Sequence, residues 1–493
     1  MQINNLNYST CNVNHKGFIK DYKALKRDVY ITLIKSQYCQ EKQQFISDLM
    51  LADLKFHKFC DEKPLRTFFY NILKKMTFIP SNTSNSIDNN SRQEILLKEK
   101  EIVLKKENLK YIIDDKEYSF QDFYNLYKQE TDLVKREELY NQYATKLNSF
   151  EKDIKALVSK RNEYAQKMGY KNYFDYELML QYSISSKELD SIINEYVNSE
   201  EVKLALVKRR QILEREQGVN FSEMTPSQIR PITDFCNIDN YIKTPKNIVN
   251  LVKKIYQNMG FDIETLEKNN QIIYDLECYD GKSSEIFCQS FPDVDCVMIY
   301  ANLHANARSF EAFLHEMGHA MYDLHVSKFL PNSLRYPKAV YNEAIAMMFE
   351  KLLLEKDTLA DLIPKELLDK YQEYAKVEKI QDGLIILAEA DFEREMYNNP
   401  NQDFVALKRK INKKYNLSPK NKIWFADHYV TNPARRPVYL KGLIIANKMY
   451  KALREYLGTE LGSNPQVAEI LKKNLFRYGK LMNDKRLNKN FNL

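Results

Sequence analysis

The chain has 493 residues, with 74 lysines and arginines against 67 aspartates and glutamates, and its formal net charge of +7 is spread through mixed-sign segments. With no basic block or arm, it lacks the pattern of a nucleic-acid or membrane-surface binder, and 11 glycines in such a length argue against a Gly-rich Rossmann or barrel design and for a mostly α protein. The 7 cysteines are odd in number and contain no CxxC pair, the N-terminal segment has no apolar signal region, and no run approaches the ~18 apolar residues needed to span a bilayer; we therefore expect a reduced, soluble, cytoplasmic protein.

In chain order, apolar residues recur at helical spacing between Tyr22 and Ile79 (Val29 and Leu33, Phe45 and Leu49, Phe68 and Ile72), which predicts an N-terminal helical region over residues 1–80. The polar stretch SNTSNSIDNNSRQ predicts an exposed loop or linker over 81–93. Charged and aliphatic residues alternate from Leu96 to Ile113 as in a coiled-coil-like arm, and helices broken near Gly169 and Ser183–Ser186 continue to Gln217, so 94–250 is read as a helical half of the molecule. The remainder, 251–493, opens with three short runs rich in aromatic and β-branched residues: IIYDLE (272–277), EIFCQSF (285–291) and CVMIYANL (296–303). Turn-like YDGKSS and PDVD separate them, which predicts a small antiparallel meander. If CVMIYANL is its edge, an extended peptide can pair with it through main-chain hydrogen bonds.

Helices return at Ser309, and residues 314–325 read LHEMGHAMYDLH. On a helix His315 and His319 lie about 40° apart and one turn from each other, so both rings can reach one ion. Glu316 sits beside that pair, placed to take a proton from a metal-activated water without ligating the metal, the arrangement that zinc hydrolysis needs. His325, six residues past His319, points about 120° away and is a poor third ligand. Glu343 is a better one, because it sits in the apolar segment AVYNEAIAMMFEKLLL (339–354), where a carboxylate is costly unless it meets a cation. The intervening loop, with Pro331 and Pro337, lets the second helix fold back on the first, so His315, His319 and Glu343 form the expected set for one Zn²⁺. Further on, DHYVTNPARRPVYLKGLIIANKMY (427–450) supplies His428 and Tyr439 as neutral donors able to polarise a carbonyl or bind an oxyanion, although each is also compatible with a satisfied core or surface residue. Arg435 and Arg436 suit either a solvated loop or capture of a substrate carboxylate.

HEMGHAMYDL followed by NEAIAMMFEKL resembles the gluzincin peptidases of the thimet oligopeptidase and oligoendopeptidase F family, and the Glu 24 residues after the second His is also similar to angiotensin-converting enzyme. The likeness extends to DLECYDGKSSEIFCQSFPDVDCVMIYANL, to LVSKRNEYAQKMGYKNYFDYELML (157–180) as an RNxxAxxxGYxNYxDY helix pair, and to YIIDDKEYSFQDFYNLY as an inserted hairpin and helix; it covers about residues 111–450. The resemblance implies an elongated helical body split by a deep channel between the 94–250 and 251–493 halves, with zinc at the floor and short unfolded peptides as substrates. It also implies that His428 and Tyr439 contact the scissile carbonyl. The chain departs from the pattern at GKSSEIF, where Glu285 and Ile286 add bulk, at Leu440 and Leu443, where further tyrosines are usual, and at Met347, where some gluzincins carry an Asp that orients a ligand His. We expect a monomeric zinc metallopeptidase that hydrolyses short peptides with Glu316, Tyr439 and His428 as catalytic residues. The alternatives are a dipeptidyl carboxypeptidase or carboxypeptidase on the same scaffold, with Arg435 or Arg436 holding the substrate C-terminus, and a weakly active zinc-containing peptide-binding protein.

Overall fold

The computed structural model describes residues 89–493 apart from 280, 281, 283–285 and 419, together with Ala24, Arg27, Asp28, Tyr30 and Ile31. The expected helical region over 1–80 lies outside the described residues except for those five, as do Gly281, Ser283, Ser284 and Glu285 of the GKSSE turn. Residues 89–93 of the expected polar loop are already helical, in α1 (Asn89–Glu107). The chain then turns back through an antiparallel hairpin, β1 (Lys110–Ile113) and β2 (Lys116–Ser119). Its two-residue turn places Asp114 and Asp115 at φ 49° and 60°, the mirror-image geometry whose twist matches paired strands. Helices α2 (Phe120–Gln129) and α3 (Leu133–Asn148) follow, each opened by a side chain that accepts a backbone N–H, Ser119 from Asp122 and Asp132 from Lys135.

The RNxxAxxxGYxNYxDY stretch has a structural explanation. It forms α4 (Glu151–Lys167) and α5 (Tyr173–Tyr182), and Asn172 caps the second by accepting from Asp175 N at 2.9 Å. Arg161 is fully buried and spends its donors on Glu99 Oε1 (2.6 Å), Tyr397 Oη (2.8 Å) and the carbonyls of Tyr429 (2.6 Å) and Val430 (2.5 Å). A buried guanidinium needs such partners, and here they tie α1 and α4 to the segment that carries His428. Two more helices, α6 (Ser186–Asn198) and α7 (Glu200–Gln217), lead through an irregular loop to α8 (Pro245–Asn258).

Three strands come next, β3 (Ile272–Asp275), β4 (Phe287–Phe291) and β5 (Cys296–Tyr300), and here the meander expectation is corrected. The order is β3-β5-β4, with β3 parallel and β4 antiparallel to β5, so the sheet is mixed and CVMIY is its centre, not its edge. The physical reason is burial: every residue of β5 is buried, as a strand covered on both faces requires, whereas β4 carries Gln289 and Ser290 and is an edge strand. Val297 and Ile299 of β5 face the main helical core, while Cys296, Met298 and Tyr300 face a second cluster that includes Tyr30 and Ile31. Tyr30 stacks on Phe291 with ring centroids 4.9 Å apart. Lys282 pins the crossover from β3 to β4, its buried ammonium donating to Asp275 Oδ1 (2.9 Å) and to the carbonyls of Asp275 (3.0 Å), Glu277 (2.8 Å) and Ala301 (2.7 Å).

Helix α9 (Ala307–Leu324) lies against β4 and β5, and Asn306 caps it by accepting from Ser309 N at 2.8 Å. Helix α10 (Ala339–Glu350) packs between α9 and α13 (Arg436–Leu457), and the 34-residue α11 (Lys365–Asn398), about 50 Å long, runs beside α7 and α13. Helix α12 (Phe404–Lys414) packs on α11. The mostly α expectation holds, with the small mixed sheet lying beside the histidine helix. No helix among the described residues is long and apolar enough to cross a membrane.

Candidate metal centre

Two glycines set how closely the site helices approach. At Gly318, between the two histidines, a Cβ would lie 2.9 Å from Ala346 Cα and 2.9 Å from Phe349 Cδ2, so only glycine lets α10 pack this tightly on α9. On the opposite side a Cβ at Gly442 of α13 would meet Glu343 Cβ at 3.2 Å. Glu343 is thereby held between two helices and aimed at the histidines.

The donor atoms of His315, His319 and Glu343 all lie within 4.8 Å of one another. The two Nε2 atoms are 3.1 Å apart, and Glu343 Oε2 is 3.5 Å from His315 Nε2 and 3.8 Å from His319 Nε2. A tetrahedral zinc with bonds of about 2.0–2.1 Å has ligand-to-ligand edges of about 3.3–3.4 Å, so the three separations bracket what zinc needs. Glu343 Oε2 is buried and makes no hydrogen bond, which a metal in that space would remedy. The residues present fit the ion.

Around the ligands each side chain has a defined partner. His315 Nδ1 donates to Glu350 Oε1 at 2.6 Å, leaving the Nε2 lone pair for a metal, and Glu350 Oε2 accepts from Lys379 Nζ at 2.6 Å. Lys379 also reaches Glu311. Glu350 thus gives His315 the acceptor that Met347 cannot, seven residues after Glu343 and so two turns along the same helix face. Asn342 lies against His319. Arg435 Nη2 donates to Glu343 Oε1 at 2.6 Å, leaving Oε2 as the free ligand atom.

The electrostatics favour a cation. Burial opposes charge on His315, yet the neighbouring carboxylates of Glu343 and Glu350 lift its pKa well above the ordinary imidazole value. Burial, followed by the His315 charge, holds His319 down at about 4. Burial would raise Glu343, but the close approach of His315, 3.5 Å from Oε2, and the charges of His319, His315 and Arg435 bring it to about 2. Glu316 is buried beside the set and accepts the Cys288 N–H of β4; burial pushes its carboxyl up to about 7, the range useful for a general base at neutral pH.

The structure places the other sequence candidates differently from one another. Tyr439 is close to the ligands: its hydroxyl bonds Arg435, its pKa is raised chiefly by burial and then by Glu343, and the Arg435 guanidinium lies 5.4 Å from its ring centroid. It stays protonated, as a donor. His428 sits further along, next to Arg436, whose Nη2 donates to its Nδ1 at 3.4 Å. A guanidinium cannot accept a proton, so the ring proton belongs on Nε2, which is buried and has no partner. Burial and the nearby Arg436 and Lys408 charges hold the His428 pKa well below 6.5, so this donor is neutral. Arg435 and Arg436 are both committed to carboxylates, Glu343 at 2.6 Å and Glu389 at 2.6 Å, and neither is a free anchor for a substrate terminus. His325 ends α9, donating Nδ1 to Met321 O at 2.8 Å and packing edge-on to Phe261, away from the other two histidines.

No protein-family profile matches the sequence, and no curated protein matches it. Solved structures do. A provisionally assigned oligoendopeptidase F superposes with a TM-score of 0.66 at 15% identity, over 97% of this chain and 89% of that one. PZ peptidase A, solved with an inhibitor, gives 0.66 at 16% identity over 99% and 94%. A second provisionally assigned oligoendopeptidase F, from Bacillus anthracis, gives 0.65 at 16% identity over 97% and 88%. At these identities the likeness establishes the fold: this chain has the architecture of the oligoendopeptidase F and PZ peptidase structures.

Proposed function

We propose that the chain is a zinc-dependent peptidase acting on short peptides. The observation that carries this reading is the convergence of His315, His319 and Glu343 at tetrahedral spacing with Glu316 buried beside them, and the peptidase identities of the structures that share the fold support it. Zinc held by these three ligands would supply Lewis acidity, polarising a carbonyl and lowering the pKa of a water to about 7.

The chain's own residues do the rest. Glu316 takes the proton from the attacking water and returns it to the leaving nitrogen, as a carboxyl with a pKa near neutrality is suited to do. Tyr439 Oη and the His428 Nε2–H are the neutral donors for the oxygen that gains charge. Glu350 and Lys379 hold His315 in the tautomer that presents Nε2. Because β4 is the sheet edge next to α9, we assign to it the main-chain pairing with an extended substrate that CVMIYANL would have made as an edge.

Digestion of a peptide library, read by mass spectrometry with and without a chelator, tests the proposal. Cleavage that disappears with the metal and returns with zinc is expected; bound zinc with no cleavage would leave a peptide-binding protein instead.

A further inference from the structure

A second cavity shares no lining residue with the candidate metal centre. It opens between α7, α11, α12 and the 416–426 loop and has a volume of about 390 Å³, within the ~300–1,000 Å³ of small-ligand pockets. Lys408 of α12 lines it and is only 8% exposed, yet forms no ion pair within 4.0 Å among the described residues. A buried ammonium without a paired anion is costly: Glu389 acts on it only from beyond ion-pair distance, and the Phe392 ring lies 5.8 Å away, a weak compensation.

The charge balance around it points the same way. Two of the three wall carboxylates are already spent: Glu378 on Arg209 (3.3 Å) and the Ile232 N–H (3.0 Å), and Glu389 on Arg436 (2.6 Å). Only Asp382 remains, against Lys408, Arg210 and Arg230, which form no ion pairs among the described residues. Arg210 makes only long contacts of 3.5 Å to Asn416 O and Oδ1 and stacks over Phe221, and Arg230 stacks over Phe235. Leu206, Ile385 and Phe425 add apolar wall, and Ile385 is 39% exposed although it lies on a helix inside the fold.

We propose that this cavity binds a carboxylate joined to an apolar group, with Lys408 as its counter-ion, and that the ligand is the C-terminal residue of a bound peptide. The link to the metal centre is structural: Glu389 of the cavity wall pairs with Arg436, Arg436 reaches His428, and the Arg436 guanidinium lies 5.7 Å from the Tyr439 ring centroid. The assignment rests on the peptidase reading and deepens it by giving the enzyme a preference for peptides with a free C-terminus.

The test uses zinc-loaded full-length protein and an N-acetylated hexapeptide ending in leucine, as free acid and as amide. For the parent, kcat/KM for the acid exceeds that for the amide by roughly 10- to 100-fold, the range of a hydrogen bond to a charged group. Lys408→Met brings the ratio to within about threefold of unity, and Lys408→Arg restores it; thermal melts of both variants check folding. Equal cleavage of acid and amide by the parent overturns the assignment and leaves the peptidase reading intact. If neither peptide is cleaved, the library digest decides the peptidase reading, and titration calorimetry with N-acetyl-leucine and its amide decides the site separately. Acid-selective binding lost in Lys408→Met supports the carboxylate site, and equal or absent binding overturns it. Acid-selective binding of N-acetyl-leucine beside an acid-to-amide cleavage ratio of one marks a site for free small carboxylates, which overturns the peptide-end assignment.

Discussion

Gly318→Ala is the sharpest probe of how the fold makes the proposed metal site. The added Cβ would sit 2.9 Å from both Ala346 Cα and Phe349 Cδ2, short of ordinary carbon contact by about 0.6–1.1 Å. Phe349 can turn, but a backbone Cα cannot, so α10 must move away from α9 by a comparable distance and carry Glu343 with it. Metal sites tolerate ligand displacements of only about 0.2 Å, so the set that now spans 3.1–3.8 Å loses its geometry. The overpacking costs about 1–3 kcal/mol, offset by at most about 1 kcal/mol of helix propensity. The expected result is a variant that folds with a lowered Tm and binds zinc at least about 10-fold more weakly, measured by competition with a chromophoric chelator. A variant with the parent's zinc affinity and Tm would show that close helix approach does not set the site.

Other outcomes follow from the same geometry. Glu350→Gln leaves His315 Nδ1 without its carboxylate and should weaken zinc binding about 10- to 100-fold with little change in the circular dichroism spectrum; undiminished affinity would remove Glu350 from the site. Arg161→Met strands Glu99 and the Tyr429 and Val430 carbonyls, so chemical denaturation should show a loss of about 3–5 kcal/mol, and a loss below about 1 kcal/mol would contradict the reading of that knot. Asp391 is buried, but hydrogen bonds from Lys414 and Tyr415 hold its pKa below the ordinary 3.8. A depressed carboxylate pKa gives stability that is fully present above the unfolded value and lost as pH falls through the folded one. The Tm gap between parent and Asp391→Asn should therefore be widest above about pH 5 and close below about pH 4; a gap independent of pH would refute it.

The clustering of His315, His319 and Glu343 could be read in the sequence because two histidines at i and i+4 and a carboxylate in an apolar helix are local signals, each with a chemical cost that a metal would remove. Glu350 escaped that reading because the expected orienting residue was sought four positions after Glu343; the helix offers a second position seven residues on, marked by an acid closing the apolar run AIAMMF. The sheet order was misjudged for a similar reason. CVMIY has no polar alternation, and five consecutive apolar residues belong to a covered central strand, a signal that outweighs proximity in sequence. Gly318 carried no warning, since the need for a missing Cβ comes from the partner helix. Nor could spacing show that the two arginines of PARRP are spent on internal carboxylates.

The central claim is that Glu316 works as the base beside a zinc held by His315, His319 and Glu343, and one comparison tests it most directly. Parent and Glu316→Gln proteins, each shown by elemental analysis to carry one zinc, are assayed on the same quenched peptides. The account predicts equal metal content with turnover reduced by at least about 100-fold in the variant. Equal turnover at equal zinc content would contradict it.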